Sequence, residues 1–166
     1  MKKSLFLSVS FFLTIGITVA CGKNAREERG YQIKAQGLAE VIAKQASACV
    51  SQSKAYLAAW EYAKVTETDF ETALSQILGD EAKQSRARMI ENKAMIDSLL
   101  EELKDPPDRF METYKILVDL HELYGQLHNL SLKPSNDMEI HNKKVDKLTS
   151  KIETKIEDLN ATFLIE

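Results

Sequence analysis

"DPPDRFMETYKILVDLHELYGQLHNL", residues 105–130, carries the pattern on which the fold turns. Phe110, Tyr114, Leu117, Leu120, Tyr124 and Leu127 recur every three or four positions, which gives a helix one apolar face. Asp105 suits a helix cap and Pro106 is preorganised for a first helical position, so the spacing predicts a helix from Pro106 to about Leu130. An apolar stripe of that length must be covered by other elements of the same chain.

Those elements can be found on either side. Upstream, Leu38, Ile42, Cys49, Tyr56, Trp60 and Ala63 fall near one face of a helix reaching about Val65. "TDFE" at 68–71 has the order of a capping box, with Thr68 as the cap of a second helix. Phe70, Leu74, Ile77 and Leu78 begin its apolar face. "GDEAKQSRAR" at 79–88 then holds no large apolar residue, and Met89, Ile96, Leu99, Leu100 and Leu103 restore the stripe. Gly79 closes a short helix or is crossed by one long helix over 69–104, and both readings stand at this point. Downstream, "LKPSND" at 132–137 is a loop with Ser135 or Asn136 as cap. A last helix follows with Val145, Leu148, Ile152, Leu159 and Phe163 inward and charges between them, most simply a solvated face. No stretch alternates with the period of two that a strand needs. A single hairpin cannot bury four such stripes, so the expected class is all-α, an up-down-up-down four-helix bundle over residues 38–166.

The N-terminus has a different character. Lys2 and Lys3 precede the charge-free "SLFLSVSFFLTIGITVA" at 4–20, and Cys21, Gly22 and Lys23 follow, the basic, apolar, small-residue order of an export signal. Five of those 17 residues are Ser or Thr, and the stretch is at the lower edge of what spans a bilayer. "TVAC" at 18–21 resembles the lipobox of bacterial lipoproteins. The resemblance implies cleavage after Ala20, a diacylglyceryl thioether on Cys21 and a membrane anchor without a protein span, with ordinary secretory cleavage and an uncleaved anchor as the competing readings. Gly22 is not the Asp that retains lipoproteins in a Gram-negative inner membrane, so the implied site is the outer membrane there, or the outer face of the cell membrane in a Gram-positive cell. Residues 1–20 are thus expected to be a signal peptide, and 21–37 the lipidated cysteine with a polar tether or the start of the first helix. A wider resemblance rests on Trp60, "DFETAL" at 69–74, Asn92, "LKDPPDRF" at 103–110, Tyr114, Tyr124 and "LKPS" at 132–135. These look like a group of uncharacterised Gram-positive surface lipoproteins, which brings no activity with it.

Chemistry is sparse in the sequence. The net charge of −3 gives no basic footprint for nucleic acid. "HELYGQLH" at 121–128 opens like a zinc-protease helix but has Gly125 where the second ligand belongs. His121 and His128, seven apart, remain the candidates for a weak metal or ligand site, short of the third ligand zinc requires. Cys49 lies on an apolar helical pattern and is expected to be a small buried hydrophobe. No motif for haem, nucleotide or a nucleophile elbow occurs, and neither a cofactor nor a catalytic set is expected. Tyr62 falls off the stripe of Tyr56 and Trp60, which makes it the candidate for an exposed contact with a partner. The expected function is a non-enzymatic protein-interaction or structural module of the cell envelope, one that binds another envelope protein or stabilises an assembly. The alternative is a lipid-anchored binder of a small ligand or metal at Gly79–Arg88 or at the histidine face.

Overall fold

The computed structural model describes the backbone of residues 5–135 and 137–164 and the side chains of residues 24–79, 84–135 and 137–163. All regular structure in that range is helical: α1 (Leu5–Thr66), α2 (Phe70–Glu101), α3 (Met111–Leu132) and α4 (Met138–Leu164), with a 3₁₀ turn at Asp108–Phe110. The helices pack in a bundle-like arrangement in which α1 touches all three others and α3 lies against both α2 and α4. Among the residues whose side chains are described, no helix is long and apolar enough to cross a membrane, and the charge-free run at 4–20 lies outside them.

Each helix is held by the stripe that the spacing predicts. Leu38, Ile42, Cys49 and Tyr56 of α1, Met89 and Ile96 of α2, Leu117, Leu120, Tyr124 and Leu127 of α3, and Val145, Ile152 and Leu159 of α4 are buried. At about 1.5–3 kcal/mol for each fully buried large side chain, this stripe supplies most of the drive to fold. Polar contacts place the levels. Tyr31 Oη donates to the carbonyl of Leu103 at 3.3 Å, Lys34 pairs with Glu102 at 3.0 Å, and Trp60 stacks on Phe70, so α1 and α2 run in opposite directions. Tyr31 meets Phe110 and Tyr56 Oη donates to the carbonyl of Ser131 at 2.6 Å, which sets α3 along α1. Asp119 pairs with Lys155 at 2.9 Å and Thr113 with Thr162 at 3.3 Å, which sets α4 against α3.

Several local expectations are corrected. Of the two readings of 21–37, tether or start of the first helix, the backbone is helical along the whole segment, and Tyr31 and Ala35 within it belong to the core. The third helix starts later than Pro106 because the residue before a proline is pushed out of the helical region. Pro106 is such a residue, and Pro107 itself is extended at φ −55°, ψ 150°. At the α1–α2 turn the cap is Asp69 rather than Thr68: its carboxylate accepts from the amide of Thr72 at 2.9 Å and from the Thr72 hydroxyl at 2.7 Å. Thr68 shares a hydrogen bond with Thr66 instead. At the start of α4, Asp137 caps through Ile140 N at 2.9 Å, while Ser135 Oγ accepts from Asp137 N; Asn136 lies outside the described residues. Gly79 interrupts α2 with φ 51° and ψ −146°, so 69–104 is not one continuous helix. Trp60 and Tyr114 are half-buried rather than enclosed.

Candidate functional site

His121 and His128 project from α3 into different surroundings. His121 is half-buried and its Nε2 is 2.5 Å from Asp97 Oδ1 of α2. Lys93 pairs with the same carboxylate and brings its Nζ within 3.4 Å of His121 Nε2. Burial alone would raise the Asp97 carboxyl, but hydrogen bonds from Lys93 and His121 outweigh it and hold the group below the usual range. The Lys93 ammonium beside the ring nitrogen repels a metal cation there. His128 is buried, and its Nε2 sits 3.1 Å from the carbonyl of Met89. That geometry makes Nε2 the donor and removes it as a ligand. The two rings therefore form no shared site, and no group of three ligating side chains occurs among the described residues.

His141, which the sequence left unremarked, is the most enclosed of the three at 0 % exposure. Its Nδ1 accepts from the amide of Ser135 at 3.3 Å, so the neutral ring carries its proton on Nε2. Trp60 and Tyr56 stand edge-on to the ring at 5.6 and 6.1 Å, and Nε2 finds no hydrogen-bond partner among the described residues. This aromatic cluster locks the α1–α2 turn to the α3–α4 turn. Tyr62, at 40 % exposure, Val65 and Ile140 lie at the same end and face outward. Cys49 is enclosed at 1 %, and burial pushes its thiol up, the state of a packing residue rather than a nucleophile. The side chain of Cys21 lies outside the described residues.

Two surface concavities differ in the chemistry of their linings. One, of about 510 Å³, lies between α1 and α2 where the apolar stripe fades, lined by Gln45, Gln84, Ser85, Arg88 and Asn92 among others. Asn92 Nδ2 donates to Gln45 Oε1 at 2.9 Å on its floor. The other, of about 610 Å³, runs between α3 and α4, with Leu130 and Leu148 beneath Lys133, Lys144, Lys147 and Lys151. The sequence signal for it was present in the i, i+3, i+7 spacing of Lys144, Lys147 and Lys151, but a run of charge on one helix cannot be told from a solvated face until its neighbour is known. Comparison with models of protein families, with curated proteins and with solved structures gives no match to this chain.

Proposed function

We propose that the chain is a bacterial lipoprotein, cleaved after Ala20 and anchored outside the cytoplasm through Cys21, whose exported part is an up-down-up-down four-helix bundle that binds another envelope protein without catalysing a reaction. The observation that carries the anchoring is the charge-free run that ends at a small residue and a cysteine, "TVAC". The alternating helix directions given by the Tyr31–Leu103, Tyr56–Ser131 and Asp119–Lys155 contacts support the bundle. Exposed Tyr62, Val65 and Ile140 at the end remote from the anchor support a partner surface, because amphipathic aromatics serve as interface anchors.

Two measurements test this reading. Intact mass of the protein from membranes should show loss of residues 1–20 and added acyl mass, both abolished by Cys21→Ala; an unmodified wild-type chain overturns the anchor. Cross-linking on intact cells should join the protein to a specific envelope neighbour, and its absence removes the interaction reading. A second reading, a binder of a small ligand, is favoured by the concavity of about 510 Å³ beside Gln45 and Arg88. Native mass spectrometry of the purified protein free of any bound species would count against it.

A further inference from the structure

The groove between α3 and α4 has an unusual charge balance. Four of the residues lining its end of about 610 Å³ are lysines and none is a carboxylate, whereas the adjoining concavity of about 470 Å³, which shares Gln126 and Lys151, adds Glu122 and Asp119, the latter engaged with Lys155; the chain as a whole is acidic. Lysines just outside it are neutralised within the fold: Lys143 pairs with Glu139, and Lys155 with Asp119. Lys133, Lys144, Lys147 and Lys151 make no ion pair among the described residues. Like charges three and four residues apart on one helix are mutually destabilising, so the arrangement costs stability while it stands empty of counter-charge.

Beneath the ammonium groups the groove is apolar. Leu130 and Leu148 are partly buried against the core, and the lysine stems extend that surface upward. Two adjacent antiparallel helices offer a trough into which a third helix packs at about 8–10 Å from each axis. We propose that this groove is a docking site for an acidic amphipathic helix of a protein partner, its apolar residues over Leu130 and Leu148 and its carboxylates between the four lysines. The proposal rests on the protein-interaction reading above and supplies the chemistry of the partner.

An anionic membrane would satisfy the same lysines, but position argues against it. Tyr56 lies 35 residues, or about 50 Å of helix, beyond Cys21, and its hydroxyl bonds to Ser131, two residues before Lys133. A membrane that holds Cys21 is at the other end of α1.

The test uses the full chain purified in uncharged detergent and a labelled helical peptide of roughly 21 residues with Leu at a and d positions and Glu at e and g. Binding should weaken as salt rises and should fall about tenfold or more in K144E/K147E/K151E. K143E, outside the groove, should bind within about twofold of the parent, and a peptide with Lys in place of Glu should not bind. Circular dichroism of the triple variant should match the parent. Failure to bind the Glu peptide, or equal binding by the triple variant, overturns the proposal, as does groove-dependent binding to phosphatidylglycerol vesicles without peptide binding. Photo-cross-linkers at Lys147 and Tyr62 in cells separate the two levels of inference. A protein captured only through Tyr62 sinks the groove and leaves the interaction reading intact; no specific capture at either position sinks both.

Discussion

Trp60 shows how a side chain's role depends on neighbours that helical periodicity does not name. It lies on the α1 stripe, yet is half-buried, stacked on Phe70 at 4.8 Å and edge-on to His141. Trp60→Ala should therefore cost about 2 kcal/mol, below the range for a fully enclosed aromatic, while Tyr62→Ala should change stability by less than about 0.5 kcal/mol. Chemical denaturation of both variants checks the ordering. His141 and His128 make a second residue-scale prediction. Burial lowers both imidazoles below their ordinary value. An unfolded chain takes up these protons near pH 6.5 and the folded chain only at lower pH, so stability is full above that value and falls as pH drops through it. The urea midpoint should decrease between about pH 7.5 and pH 5.5, and His141→Gln should flatten that slope. An unchanged slope in the variant would remove His141 from the account.

At the scale of elements, the turns were harder to place than the helices. Asp69 and Asp137 each cap one residue or more beyond the expected position, because Ser, Thr, Asp and Asn compete for the same role and packing selects among them. The double proline was legible as a boundary, but the helix resumes only after it since each proline restricts the residue before it. Gly79 is decisive for α2. Its backbone is in a region that L side chains rarely adopt, although an added Cβ would meet nothing within 4 Å. Gly79→Ala should thus destabilise by about 1–3 kcal/mol through backbone strain alone. Thermal unfolding that shows no loss would mean that α2 straightens at no cost, contrary to the packing of Ala73 on one side and Met89 on the other.

For the whole molecule, the packed part of α1 reaches beyond Leu38 toward the N-terminus. Tyr31 is 8 % exposed, packs on Phe110 with ring centroids 5.1 Å apart, and has its hydroxyl pushed up to about 12, chiefly by burial. A chain that begins at Leu38 lacks Tyr31 and Ala35 and should unfold at a lower temperature than one that begins at Ala25, by about 2–4 kcal/mol of lost burial and ring contact. Equal melting temperatures would place the start of the packed part at Leu38 after all. The same helix extends beyond Tyr31 toward the N-terminus. From Cys21 to Tyr31 there are ten residues of α1, about 15 Å of rod rather than a flexible coil.

The sequence by itself determined the all-helical class and the identity of most buried residues, because apolar spacing of three and four is a local property that survives without knowledge of the partner helix. It also located the charge-free run at 4–20 and the cysteine that follows it. Only the tertiary structure decided which caps are used, that His121 and His128 face different neighbours, and that His141 closes an aromatic cluster with Trp60 and Tyr56. The lysines of α4 belong to the same category. Their spacing is written in one helix, but a groove exists only where Leu130 of α3 and Lys133 just beyond its end come alongside, a contact between residues distant in the chain.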